Sequence, residues 1–199
     1  MHKLKKWKIL QSKMVLDNFW CKVRQDEIQL PNGKIIDDFF VIVRPEIALI
    51  LPITSNQEIV FVRQYRHGVG EILLELPAGG FDATYESAET AAVRELKEET
   101  GYTAEKIIKL ATLYDNPVKD TNKIHLFIAE NVSKIAEQNL DITEEIEVVL
   151  IPVESVIEKI TQGEISVSGS VAALFLGLNF RIRSGDKKSY QENEGTHRW

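Results

Sequence analysis

The stretch Gly80–Tyr102, GFDATYESAETAAVRELKEETGY, decides how the rest of the chain is read. Five residues separate Gly80 from Glu86, and seven separate Glu86 from Arg94-Glu95-Leu96-Lys97-Glu98-Glu99-Thr100-Gly101. From Glu86 to Thr100 the segment is rich in Ala, Glu, Leu, Lys and Arg, and it holds no Gly or Pro. These are good helix formers, and Gly101 suits the position just past a helix end. Ala88, Ala91, Ala92 and Leu96 make an apolar face by their helical spacing. Glu95, Glu98 and Glu99 fall at i, i+3 and i+4, so their carboxylates share another face. Like charges that close repel, by up to about 0.5 kcal/mol per pair on a solvated helix. They also crowd the negative end of the helix dipole. A hard divalent cation reverses that cost, because Mg²⁺ and Mn²⁺ take carboxylate oxygens and bridge to phosphate.

By itself, Glu-Leu-Lys-Glu-Glu reads as a solvated acidic face, the usual setting of a charge run. In register with Gly80, Glu86, Arg94 and Gly101, the stretch resembles the Nudix box. That box is the metal-binding strand-loop-helix-loop of hydrolases that cut nucleoside diphosphates linked to another group. Tyr102 stands where the family more often has an aliphatic residue, and an aromatic ring fills the same apolar slot. The resemblance implies that Glu95, Glu98 and Glu99 hold Mg²⁺, with Mn²⁺ the second choice, together with a backbone carbonyl. Spacing from Gly80 favours the carbonyl of Gly79, with Ala78 the alternative. The resemblance also implies that Arg94 orients a metal-binding glutamate. The plainer reading of Arg94 is an i, i+4 surface pair with Glu98.

Composition sets bounds that agree. The chain has 199 residues, 44% hydrophobic and 27% charged, which suits one globular domain with a small N-terminal appendage. A net charge of −6 argues against a nucleic-acid partner. Cys21 is the only cysteine, so no internal disulfide forms, and a reducing, cytoplasmic location is expected. The N-terminus MHKLKKWKIL is basic but lacks the apolar core of a signal peptide. The longest apolar runs, Ile47–Ile53 and Val171–Leu176, are too short to span a bilayer, and no membrane partner is expected. From Ser184 the sequence is polar and aperiodic, and 184–199 is expected to be a flexible tail.

Local patterns give an order of elements. Lys22–Leu30 and Lys34–Val43 flank the turn signal Pro31-Asn32-Gly33. Ile47–Ile53, Glu58–Tyr65, Ile72–Leu76, Ile107–Leu113, Lys123–Ala129 and Ile146–Pro152 read as strands. Val153–Thr161 and Ser170–Arg181 read as helices. Strands, a central helix and late helices predict an α/β fold, a mixed sheet with helices on both sides. The Nudix resemblance implies an α/β/α sandwich preceded by an N-terminal antiparallel β segment. The expected division is 1–45 for that segment, 46–183 for the catalytic domain and 184–199 for the tail.

Within the family, the chain resembles the ADP-ribose pyrophosphatase branch. The resemblance rests on the N-terminal β segment, on Val62-Arg63-Gln64-Tyr65-Arg66, on Glu75-Leu76-Pro77-Ala78-Gly79, and on Pro117 downstream of the box. It covers roughly Lys22 to Leu176. The branch often has Ser-Pro-Gly around that proline, whereas this chain has Asn116-Pro117-Val118-Lys119-Asp120. The resemblance implies Mg²⁺-dependent hydrolysis of ADP-ribose to AMP and ribose 5-phosphate, and a homodimer built through the β segment. GDP-mannose or another nucleoside diphosphate sugar is the alternative substrate. A non-catalytic nucleotide-sugar sensor is the alternative of another class. It would lack a box carboxylate or carry a DNA-binding domain, and neither is seen.

Arg66, Arg63 and Glu75 are the candidate substrate contacts on the strand motifs, with surface charge the plain alternative for the arginines. Pro117 joins them by its spacing. Phe39 and Phe40 read as core or dimer-interface aromatics, and Phe39 is also a candidate to stack on adenine. The catalytic base is expected in the acidic loop Asp141-Ile142-Thr143-Glu144-Glu145. Glu144 is the first choice, Glu145 the second, and Glu98 the fallback on the helix.

Overall fold

The structure, a computed structural model, describes residues 3–194, with side chains through residue 184. Its strands are β1 (Lys8–Asp17), β2 (Lys22–Gln29), β3 (Ile35–Ile42), β4 (Glu46–Thr54), β5 (Glu58–Arg66), β6 (Glu71–Glu75) and β7 (Ala78–Phe81). The helix α1 (Ala88–Thr100) follows, then β8 (Tyr102–Thr103), β9 (Ile107–Tyr114), β10 (Lys123–Lys134) and β11 (Ile146–Pro152). A single 3₁₀ turn leads into α2 (Val156–Thr161) and α3 (Ser168–Glu194). No helix among the described residues is long and apolar enough to cross a membrane.

The chain divides into two compact units, Met1–Glu46 with Tyr114–Lys123, and Ile47–Leu113 with Ile124–Trp199. The first is a three-stranded antiparallel sheet in the order β1-β2-β3. Pro31-Asn32-Gly33 turns β2 into β3, and Gly33 takes φ 88°, which an L side chain resists. The strand β1 adds a member that local patterning does not predict. All ten of its residues are exposed, so it has no buried face to leave a two-residue period. Tyr114–Lys123 joins this unit because Ile42 pairs with it. The Ile42 N–H donates to Lys119 O (2.8 Å), and Ile42 O accepts from Thr121 N–H (3.1 Å). Arg44 donates to Asp115 and Asp120, each at 3.4 Å.

The second unit is an eight-stranded mixed sheet, with β11-β5-β4-β10-β8 as its path. The strands β4 and β10 run parallel, while β5 and β11 run antiparallel. Side-chain alternation on β4 sorts the core into two halves. Leu49, Leu51 and Ile53 pack with Leu126, Ile128, Val156 and Leu174, on the face covered by α2 and α3. Ala48 and Ile50 pack with Phe127, Ala91, Ala92 and Leu96, on the face covered by α1. Helices thus cover both faces of a mixed sheet, which is the expected sandwich. The backbone of α3 continues through Glu194, well past the expected stop at Arg181. Of the expected tail, 195–199 lie outside the described residues.

Candidate active site

The helix α1 is shaped by its two ends. Ser87 caps its start, with Oγ accepting from the Thr90 N–H at 3.1 Å. The helix therefore begins at Ala88, and Glu86 belongs to the preceding loop. Gly101 closes the helix at φ 75°, donating its N–H to Lys97 O. A Cβ at Gly101 would also run into the Ala136 carbonyl, so glycine is required twice over.

The box spacing folds loop and helix around one guanidinium. Arg94 donates Nε and Nη2 to the two Glu86 oxygens, both at 3.0 Å. Its Nη1 donates to Glu95 Oε1 (2.6 Å) and to Glu98 Oε2 (2.9 Å), and Nη2 reaches Gly80 O (3.4 Å). The Glu86 hydrogen bonds, against burial and together with Glu95 and Glu98, hold the Arg94 pKa above its ordinary value. The i, i+4 pair with Glu98 exists, but as one arm of this larger clamp.

The three box carboxylates are not equivalent. Glu95 and Glu99 are only 9% and 3% exposed, so they do not share a solvated face with Glu98. Glu99 Oε2 accepts from the Ala78 N–H at 3.1 Å. Glu95 lies against Gly79 so closely that a Cβ there would collide with its carboxylate. Burial raises the Glu95 pKa, with Arg94 opposing and Glu98 and Glu144 adding to the shift. Glu99 is pushed up to about 8 by burial, then by the Glu95 charge, with Glu144 adding and Ala78 and Arg66 opposing. Two desolvated carboxylates one helical turn apart offer the oxygen ligands that a hard divalent cation takes. Glu95, Glu99, Glu98 and the Gly79 carbonyl are the groups that would hold it. Among the described residues no three acidic, His or Cys side chains converge as a ready cage. Arg94 Nη1 sits between Glu95 and Glu98.

The strand motifs separate into two roles. Arg66 donates Nε to both Glu75 oxygens (3.2 and 3.0 Å) and Nη2 to Glu75 Oε2 (2.6 Å). Burial works to lower the Arg66 pKa, but hydrogen bonds to Glu75 and the charges of Glu75, Glu99 and Glu144 outweigh it. Arg66 therefore lies in the field of Glu99 of the box and of Glu144. Glu75 is buried and holds Arg66 through both of its oxygens. Arg63 points to the other face of β5 by strand alternation and pairs with Glu147 at 2.8 Å, an exposed cross-strand pair. The structure does not bring Arg63 to Arg66 and Glu75.

In the acidic loop, Glu144 is half-buried and Glu145 is exposed. The Glu144 carboxylate accepts from the Asp141 N–H at 2.9 Å, and its charge acts on Glu95, Glu99 and Arg66. Phe39 and Pro117 fall in the other unit. There Phe39 meets the edge of Trp7 at 5.8 Å, and Lys119 Nζ lies 5.1 Å from its ring centre. Two residues escape sequence reasoning. Gln64 lies on the same face of β5 as Arg66, buried, with Nε2 unpartnered. Gln138 donates to two carbonyls at the root of the acidic loop. Gln64 stands inside the quoted strand motif but carries no charge to single it out, and Gln138 carries neither a charge nor a motif position.

Comparison with known proteins shows the family. Residues 43–169 match the NUDIX domain, and residues 7–42 match the nucleoside diphosphate sugar hydrolase N-terminal domain. The ADP-ribose pyrophosphatase of Bacillus subtilis is 33% identical over 141 residues, 70% of this chain and 75% of that protein. The methanol dehydrogenase activator of Bacillus methanolicus is 29% identical over 175 residues, 87% of this chain and 94% of its own. The GDP-mannose pyrophosphatase of Cronobacter sakazakii is 33% identical over 135 residues, 64% of this chain and 70% of its own. A solved structure described as an ADP compounds hydrolase superposes with a TM-score of 0.82 at 25% identity, covering 93% of this chain and 99% of that one. The chain belongs to the Nudix hydrolase family, with a nucleoside diphosphate sugar hydrolase N-terminal domain ahead of its Nudix domain.

Proposed function

We propose that this protein hydrolyses the diphosphate bond of a nucleoside diphosphate sugar, ADP-ribose first, giving AMP and ribose 5-phosphate. The observation that carries the reading is the pair of buried carboxylates, Glu95 and Glu99, set against Ala78 and Gly79. Nudix hydrolases generally use divalent metal ions, and the oxygen-only donor set favours Mg²⁺, then Mn²⁺. Such an ion, when bound, neutralises phosphate charge and acidifies a coordinated water.

The chain's own groups have separable tasks. Arg94 fixes Glu95 and Glu98 as acceptors of fixed direction. Glu75 presents Arg66 to a phosphate oxygen by holding Nε and Nη2, leaving Nη1 for the substrate. Glu144 takes the proton of the attacking water. The new phosphorus–oxygen bond forms as the bond to the bridging oxygen breaks, and that oxygen leaves on the other phosphate.

GDP-mannose remains the second reading. Asn116-Pro117-Val118-Lys119-Asp120 departs from the branch pattern, and one relative is a GDP-mannose pyrophosphatase. A sensor without catalysis is disfavoured because every box carboxylate is present. A homodimer fits β1, which exposes Trp7, Ile9, Leu10, Met14, Val15 and Leu16 around it. The segment 1–45 would supply that interface and part of the substrate pocket, with Phe39 and Pro117 on its unit. The reading places the protein in the cytoplasm. A hydrolysis screen across nucleoside diphosphate sugars with Mg²⁺, Mn²⁺ or EDTA tests it. Turnover of none of them with either metal defeats it.

A further inference from the structure

The last carbonyls of any helix lack partners within the helix. In α1 they are met from two directions. Gly101 N–H takes Lys97 O, and Asn139 N–H takes Glu98 O at 2.8 Å. Glu99 O accepts from the side chain of Gln138, at 2.7 Å from Nε2. The same Nε2 lies 3.1 Å from Ile146 O, the first carbonyl of β11. A primary amide carries two hydrogens on that nitrogen, so both bonds form at once. One side chain thus joins the end of the box helix to the start of β11. It closes the neck of the segment 139–145, which carries Glu144.

Beyond the Asn139 N–H bond to Glu98 O, little else fastens that segment. Ile142 at its tip is fully exposed, and Asp141 and Glu145 are exposed. Its internal bonds are two, from Glu144 N–H to Asp141 O and from Asp141 N–H to the Glu144 carboxylate, each 2.9 Å. A segment with few buried apolar contacts opens easily unless its ends are held.

We propose that Gln138 is a positioning residue for the reaction: by closing this neck it sets Glu144 within reach of the box-helix carboxylates. The inference rests on the reading of Glu144 as base. A purely structural cap would act on stability and leave the turnover step alone. Gln138→Met keeps the side-chain length and removes both donors. It is expected to lower kcat about 10-fold or more, the size seen when an outer orienting partner is lost, with KM and cation affinity within about twofold. In the Glu144→Gln background it should add no further loss, since both changes act through one group. Gln138→Lys restores donors of similar reach at a helix end that favours a cation, and it should recover most of kcat. Amide hydrogen exchange across 139–145 should quicken in Gln138→Met and return in Gln138→Lys. Should the Met form not fold, Gln138→Asn, too short to reach both carbonyls, replaces it. The proposal is overturned by unchanged exchange in 139–145, by unchanged kcat, by a lysine no better than methionine, or by full additivity with Glu144→Gln. Full activity in Glu144→Gln alone defeats instead the reading of Glu144 as base, whatever the exchange shows.

Discussion

The backbone N–H of Ala78 donates to Glu99 Oε2 at 3.1 Å, fastening the last carboxylate of the box helix to the strand that leads into the box. The bond holds Glu99 in a site that removes it from water, and burial then sets its chemistry. Substitution by glutamine keeps an oxygen to accept from Ala78 and removes only the charge. Glu99→Gln is therefore expected to fold normally and to lose at least about 100-fold in rate with Mg²⁺. Full activity in this variant, or in the native protein with EDTA, would contradict a metal-assisted reaction through the box.

The same burial makes a prediction about pH in cation-free protein. Glu99 has a folded pKa near 8, against an ordinary value of 4.5. Between those values the folded state holds a proton that the unfolded state has released, so stability falls as pH rises through this window. The loss is on the order of a few kcal/mol. Thermal unfolding in EDTA should show a lower Tm at pH 8.5 than at pH 5. At pH 8.5 without cation, Glu99→Gln should unfold at a higher temperature than the native protein while being the poorer enzyme. Added Mg²⁺ should raise the native Tm at pH 8.5 and leave that of Glu99→Gln nearly unmoved. A flat dependence on pH in EDTA would remove the desolvation argument.

What the sequence made legible follows from how local each signal is. Glu86, Arg94, Glu95 and Glu98 are coded within one short window, and the clamp they form is nearly all local contact. The alternation of Leu49, Ile50 and Leu51 likewise points to a strand buried on both faces. The burial of Glu95 and Glu99 was not legible, because it depends on Ala78 and Gly79 closing against the helix. A helical wheel shows three glutamates on a face and cannot show that two of them turn inward. The strand β1 left no pattern because neither of its faces is buried within the chain. The grouping of Pro117 with the N-terminal unit goes with Ile42 pairing to Lys119 and Thr121 and Arg44 reaching Asp115 and Asp120, contacts between distant residues that no window contains.

The exposed β1 leads to a prediction about assembly. A ten-residue strand with Ile9, Leu10, Met14, Val15 and Leu16 all exposed is a poor surface for a monomer. A homodimer interface that covers it would bury over about 2,000 Å². Sedimentation at micromolar concentration should give twice the chain mass of 22.6 kDa. Ile9→Lys with Val15→Lys should shift the population toward monomer. A native protein that sediments only as a 22.6 kDa species would exclude the dimer.

Arg66 and Arg63 offer an internal comparison. Arg66 is aligned by Glu75 and lies in the field of Glu99 and Glu144, whereas Arg63 pairs with Glu147 on the opposite face of β5. Arg66→Lys keeps the charge but loses the planar fork that Glu75 holds. It should raise KM or lower kcat/KM by about tenfold or more, while Arg63→Lys stays within about twofold. Equal losses in the two variants would mean that the pairing with Glu75 does not define the substrate contact.

The base is the remaining assignment, and the loop gives it an ordered test. Glu95 and Glu98 are bound by Arg94, and Glu99 is bound by Ala78, so the box carboxylates already have partners. Proton abstraction needs a carboxylate outside that set. Glu144 is half-buried, is oriented by the Asp141 N–H, and acts electrostatically on Glu95, Glu99 and Arg66. Glu145 beside it is exposed, which makes it the control. Glu144→Gln should lower kcat by roughly 10²–10⁴-fold with KM and metal affinity nearly unchanged. Glu145→Gln should remain close to the native rate. The glutamine at 144 still accepts from Asp141, so the loop keeps its shape and the loss reports the proton step. If both single variants and the double variant hold near-native kcat, the base lies elsewhere. Glu98 is then the next residue to change, since it is the most exposed carboxylate of the box and the one least committed to the interior.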